Sequence, residues 1–146
     1  MEESLSLLNQ LKKEFQCEEV DIRTYSPLTL AFIGDCIFDL MIRTIIVERG
    51  NRAAENLHKQ KSMIVKATTQ ALMAEALADD LTEEEMSYYK RGRNAKSYSS
   101  AKNASITDYR KATGYEALMG YLYLTNQEER MIALTKLGMD KIGIEV

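Results

Sequence analysis

Pro27-Leu-Thr-Leu-Ala-Phe-Ile-Gly-Asp-Cys-Ile-Phe38 contains a single charged residue, Asp35. A second stretch has the same character: in Ala112-Thr-Gly-Tyr-Glu-Ala-Leu-Met-Gly-Tyr-Leu-Tyr-Leu124 the only charge is Glu116. Both read as helices too apolar to face water on every side. An ionised carboxylate is costly to bury alone and ordinarily takes a cation, a metal or hydrogen-bond donors. A place at the helix rim, or an Arg or Lys from elsewhere in the chain, is the common answer. The neighbours of these two acids point to a different one. Ala31 and Gly34 flank the first, and Gly114, Ala117 and Gly120 flank the second. Glycine inside a helix costs about 1 kcal/mol relative to alanine, so its presence implies close backbone approach. The expectation is two core helices in tight contact, each presenting one acid to a shared divalent cation.

Working outward, Ser26-Pro27 is a helix start, since serine can cap and proline suits the first turn. The helix that follows should run to about Glu48 and stop near Gly50. Upstream, Leu5, Leu8, Leu11 or Lys12, and Phe15 predict a short amphipathic helix. Downstream, Asn51 can cap a segment carrying Ala53, Ala54 and Leu57, and a further run holds Ile64, Ala67, Ala71, Ala74 and Ala78. The pattern leaves open whether these form one helix or two with a break near Gln60. Thr82-Glu-Glu-Glu85 fits a capping box opening a helix that ends near Gly92. About fifteen polar, basic residues then read as a loop, and loops of that length in compact domains are usually functional or disordered. Thr107 or Asp108 opens the helix of Glu116; Asn126 with Glu128 and Glu129 opens the last, which ends near Gly138. A single proline and seven glycines are too few for a turn-dense all-β chain. The fold class is all-α, a single domain over residues 1–146 with six or seven helices.

With 45% hydrophobic and 28% charged residues the chain belongs among soluble globular proteins and can bury a sizeable core. Cys17 and Cys36 have no disulfide or metal spacing, and read as reduced structural thiols. The start, Met-Glu-Glu, is not a signal segment. Pro27 to Val47 is long enough to span a bilayer, but Asp35, Asp39 and Arg43 inside it argue for a soluble helix. The expected location is cytoplasmic, with no membrane partner.

A net charge of −3 argues against a polyanionic partner. Its distribution argues the reverse. From Met86 to Thr107 there is no acid, while Lys90, Arg91, Arg93, Lys96 and Lys102 are present. From Asn56 to Ala74 there is again none, and His58, Lys59, Lys61 and Lys66 supply positive charge. Such runs are often only solvated surface, but the segregation is notable.

Phe-Ile-Gly-Asp-Cys-Ile-Phe-Asp-Leu at 32–40 resembles the signature helix of the ribonuclease III family, and Tyr-Glu-Ala-Leu-Met-Gly-Tyr-Leu-Tyr-Leu at 115–124 resembles its second acidic helix. The length and the run Lys-Arg-Gly-Arg-Asn-Ala-Lys-Ser at 90–97 are closest to the Mini-ribonuclease III branch, which carries no double-stranded RNA-binding domain. The resemblance covers at least Thr24 to Leu124. It implies a hydrolase, an endonuclease that cuts double-stranded RNA, with Asp35 and Glu116 as catalytic residues holding Mg²⁺. Larger members have further acids where this chain has Leu28, Ala31 and Thr113, so fewer protein ligands and more waters are expected here. The resemblance further implies a homodimer with two signature helices meeting on a two-fold axis. It also implies maturation of precursor large-subunit (23S) ribosomal RNA in ribosome biogenesis, with room for a ribosomal-protein helper.

A-form duplexes are recognised chiefly through phosphates and 2′-hydroxyls. Lys90, Arg91, Arg93, Lys96 and Lys102 suit phosphates; Asn94 and Ser97 suit sugar hydroxyls. A lone His58 gives little support for a nucleophile or base. For the dimer contact, Phe38 and Ile42 share a helical stripe and are the candidates from sequence. Two other readings stay open: a duplex-binding relative without cleavage, and a helical protein-interaction module whose acids are structural.

Overall fold

The computed structural model describes residues 6–95 and 105–146. Among them are seven α-helices and no strand: α1 (Leu7–Glu14), α2 (Pro27–Glu48), α3 (Ala54–Val65), α4 (Ala67–Ala76), α5 (Glu83–Arg93), α6 (Ile106–Leu124) and α7 (Glu128–Lys141). A 3₁₀ turn at Ile22–Thr24 leads into α2.

The start signals of α2 and α5 work as their chemistry requires, whereas Asn51 and Asn126 do not cap α3 and α7, whose N-caps are Ala53 and Gln127 with no side-chain cap bond. Ser26 Oγ accepts from the Thr29 amide at 3.1 Å, with Pro27 in the first turn of α2. Thr82 and Glu85 close a capping box at α5. Glu85 is also buried, and both its oxygens accept from Arg130 at 2.8 and 2.9 Å, which ties α5 to α7. Arg130 accordingly holds the Glu85 carboxyl below its ordinary value. Ser105 caps α6, two residues ahead of Thr107, the earlier of the two expected openings.

The α3/α4 ambiguity resolves into two helices that break at Lys66, not near Gln60. Lys66 is extended (φ −67°, ψ 157°). The carbonyls left over at the end of α3 are met by side chains of α4: Thr69 Oγ1 donates to the Met63 carbonyl at 2.8 Å and Gln70 Nε2 to that of Val65 at 2.7 Å. These bonds make the elbow a fixed corner.

Helix α6 is the centre of the molecule. Nearly all of it from Ala112 to Tyr123 is buried, with α2, α4 and α5 packed around it. Phe38 meets Tyr115 edge-on, ring centroids 5.2 Å apart at 84°. Both are among the fully buried side chains, as is Ile42. This corrects the expected dimer contact: Phe38 and Ile42 fill the protein's own core. The exposed stripe of α2 runs through Leu28, Phe32, Cys36, Leu40 and Val47, with Phe32 80% exposed. Both faces of α2 are apolar, so periodicity alone did not distinguish them.

Cys36 is exposed on that stripe, and Cys17 is exposed as well, so neither is a buried structural thiol. In α1 only Leu8 is buried; Leu11 and Phe15 face outward. No helix among the described residues is long and apolar enough to cross a membrane.

Candidate active site

The site begins with two glycines. A Cβ added to Gly34 on α2 would lie 1.7 Å from the Glu116 carbonyl oxygen on α6, and one added to Gly120 would lie 2.0 Å from the Leu30 carbonyl oxygen. The two helices therefore touch backbone to backbone, which only glycine permits at these positions. Asp35 follows Gly34 directly, and Glu116 is the residue whose carbonyl Gly34 touches. The crossing brings the two carboxyls near each other, and Asp35 acts on the charge of Glu116.

Their surroundings differ. Asp35 is exposed on the surface of α2, at the rim of the apolar run that surrounds it in sequence, whereas Glu116 is largely covered. Burial, then the neighbouring Asp35, pushes the Glu116 carboxyl up to about 8; a donation from Gln70 Nε2 to Glu116 Oε2, at 3.4 Å, works the other way. Among the described residues neither acid has an ion-pair partner. Asp39, one turn along α2, shows the contrast: it is met by Arg43 at 2.6 Å and Lys61 at 3.4 Å. Asp35 and Glu116 thus face each other with no protein cation to balance them.

This linkage has a definite sign. A carboxyl raised from 4.5 to about 8 on folding favours the folded state at pH values below 4.5, and that contribution is lost as pH rises through about 8. In EDTA at pH 8.5, Glu116→Gln should therefore be more stable than the wild type, by about 2–4 kcal/mol. At pH 5 the two should melt nearly together, and Mg²⁺ should raise the melting temperature of the wild type only. Equal stabilities at both pH values would show that the charge at Glu116 is already compensated.

The donor set suits a hard divalent cation. Such ions take oxygen ligands, commonly one or two carboxylates with waters and substrate phosphate completing the sphere. No cluster of three or more His, Cys, Asp or Glu arranged for a metal occurs among the described residues, so a cation held here would have these two carboxylates as its charged protein ligands among them. Beside them the buried Gln70 Oε1 has no hydrogen-bond partner, an unmet acceptor at the edge of the site.

Basic residues approach from α5. A Cβ on Gly92 would lie 2.6 Å from Ala117 Cβ and 2.9 Å from Gly114 Cα, so the end of α5 meets α6 at residues flanking Glu116. Lys90 is exposed on the other side of α5, where it lines a groove with Leu81, Met86, Ser87, Arg91 and Asn94. Arg91 is half-buried, donates to the Tyr25 carbonyl at 3.0 Å and lies over the Tyr88 ring. Arg93 lies over Tyr89 and donates to Asn94 Oδ1 at 3.2 Å. Lys96, Ser97 and Lys102 fall outside the described residues. His58 is exposed on α3. Gln70 escaped the sequence reading, although a signal existed. It lies three residues after Ala67 and four before Ala74, on the inward stripe of an alanine-rich helix where an amide has no place unless it is hydrogen-bonded.

An all-helical domain with paired acids at a glycine crossing is the ribonuclease III arrangement, and the Ribonuclease III domain family matches residues 28–127. The chain belongs to that family and is an endoribonuclease, a hydrolase of RNA. Among similar proteins, the Clostridium tetani Mini-ribonuclease 3 is 45% identical over 87% of this chain and 87% of its own length. The Enterococcus faecalis Mini-ribonuclease 3 is 45% identical over 84% of this chain and 95% of its own. The crystal structure of a Fusobacterium nucleatum protein aligns with a TM-score of 0.75 at 33% identity, covering 84% of this chain and 98% of that one.

Proposed function

We propose that the protein is a homodimeric, Mg²⁺-dependent endoribonuclease of the cytoplasm that cuts both strands of double-stranded RNA and matures precursor 23S ribosomal RNA. The observation that carries this reading is the pair Asp35 and Glu116, brought together without an ion-pair partner among the described residues. A divalent ion held by both would activate a water and stabilise the charge that develops on the attacked phosphodiester. The chain's own part is positional. The α2/α6 crossing fixes the two carboxylates, and burial of Glu116 keeps bulk water from one side. Lys90, exposed on α5, would meet the phosphates. The direct test is a long RNA duplex incubated with purified protein, with Mg²⁺ and with EDTA, beside single-stranded RNA and DNA duplex controls. Mg²⁺-dependent cutting of the RNA duplex alone is the expected result. Intact duplex under all conditions would leave the non-catalytic relative standing. Precursor 23S RNA should be trimmed at discrete positions, and faster cutting of the ribonucleoprotein than of naked RNA would identify a ribosomal-protein helper.

The dimer is proposed on the exposed stripe of α2. Burying Phe32 and its neighbours against the same stripe of a second copy would cover an apolar face that Asp35 borders. Sedimentation should give about twice 16.6 kDa. Phe32→Glu should shift the protein to folded monomer, because an unpaired charge in that contact costs several kcal/mol, and double-strand cutting should be lost with it. A Phe32→Glu protein that still sediments as a dimer would move the interface elsewhere.

The basic segment has its own test. Arg91 and Arg93 are engaged with Tyr25, Tyr88 and Tyr89, so their removal mixes packing with charge. Replacing Lys90, Lys96 and Lys102 by Gln isolates the charge. Duplex affinity should fall, and the slope of log affinity against log salt should become shallower by roughly one for each phosphate no longer neutralised. An unchanged slope would show that the duplex lies elsewhere.

A further inference from the structure

Gln70 is only 2% exposed, and its side-chain amide is held in one orientation. Nε2 stands 2.7 Å from the Val65 carbonyl, a distance at which only a donor is tolerated, so nitrogen and oxygen are assigned by the contact itself. Val65 ends α3 at the fixed corner where Thr69 binds the Met63 carbonyl, so the amide's anchor is rigid. From that anchor the same nitrogen reaches Glu116 Oε2 at 3.4 Å. The other end of the amide, Oε1, is buried with no hydrogen-bond partner among the described residues. A buried acceptor left unsatisfied is destabilising, and a structural role for Gln70 would need only the Val65 contact.

We propose that Gln70 is a positioning residue for the cation site: its amide, locked on Val65, orients the Glu116 carboxylate toward Asp35, and its Oε1 accepts a hydrogen bond from water carried in by the hydrated cation. The amide offers Glu116 a donor, which suits the ionised carboxylate that a cation needs and not the protonated acid. It acts through Glu116 and through water, and touches no reacting atom. Partners of this kind typically change metal affinity by about 10–100-fold when removed. The inference rests on Asp35 and Glu116 being the cation ligands.

The experiment is calorimetric titration of the RNA-free protein with Mn²⁺, comparing wild type, Asp35→Asn, Gln70→Met and Gln70→Asn. Met keeps the length of Gln without the amide; Asn keeps an amide but shortens its reach. Both should bind Mn²⁺ about 10-fold or more weakly than the wild type while melting as folded proteins without metal. In cleavage assays both should need correspondingly more Mg²⁺ for half-maximal rate, with kcat restored at excess Mg²⁺ and KM for the duplex unchanged. Wild-type Mn²⁺ affinity in a folded Gln70 variant, or a loss of rate that no Mg²⁺ concentration restores, would overturn the role of Gln70. A wild type that binds no Mn²⁺, or an Asp35→Asn variant that binds it as well as the wild type, would overturn the ligand assignment beneath it.

Discussion

Asp35→Asn is expected to lower cleavage of an RNA duplex by about 10³-fold or more at saturating Mg²⁺, roughly 4 kcal/mol of transition-state stabilisation. Folding should be unaffected. Asp35 is exposed and has no ion-pair partner among the described residues, so exchanging an oxygen for an amide nitrogen leaves no cavity and strands no buried charge. Duplex binding through the basic face should persist, because that contact is made by other residues and is governed by salt. The variant therefore separates chemistry from binding, which a deletion would not. Glu116→Gln should lose comparable activity, and the double variant should be little worse than either single one, since groups that hold one ion act as a unit. The comparison needs single-turnover rates at several Mg²⁺ concentrations. Undiminished Mg²⁺-dependent cutting by Asp35→Asn would remove this pair from the mechanism.

How far the molecule could be read from its residues depended on whether the deciding signal was local. Helix starts were legible because capping is local chemistry: Ser26-Pro27 and Thr82 with Glu85 form the caps their sequence implies. The glycines beside the two acids were legible as marks of close approach, and Gly34 and Gly120 do lie at the α2/α6 crossing. The faces of α2 were not legible. Phe32 and Phe38 are chemically the same residue in one apolar run, and only the positions of α6 and its neighbours send one outward and the other into the core. Apolar residues on every side of a helix carry no phase. Asp35 lies on the outward stripe beside Phe32, so the apolar run around it did not show that of the two acids only Glu116 is covered. The break at Lys66 was also hidden, since the carbonyls it frees are answered by Thr69 and Gln70 across the corner, a tertiary detail with no motif.

Gly34→Ala should be the most damaging single methyl group in the protein. The added Cβ would lie 1.7 Å from the Glu116 carbonyl oxygen and 2.8 Å from the Gly120 amide nitrogen, whereas real Cβ atoms keep beyond 3.0 Å. Both obstacles are backbone inside helices, so neither can swing aside as a side chain would. Relief requires α2 and α6 to separate by more than an ångström along their contact, in a core packed as densely as an organic crystal. Overpacking of this kind costs typically 1–3 kcal/mol and more where backbone must move; about 3 kcal/mol corresponds to a melting temperature lower by roughly 10 °C. The displacement also falls on the site, because the obstructing carbonyl belongs to Glu116 and the next residue along α2 is Asp35. Misplacing a catalytic group by 1 Å can cost about 10²-fold in rate, so whatever Gly34→Ala protein folds should cut slowly even well below its melting point. Gly138→Ala is the control. Its Cβ would meet only the Leu77 and Met73 side-chain ends at 3.1 Å, which can yield, so it should cost about 1 kcal/mol or less and leave the rate intact. Thermal melts and single-turnover cleavage of the two variants side by side decide the matter. If Gly34→Ala melts and cuts like Gly138→Ala, the acids are not set by the closeness of this crossing.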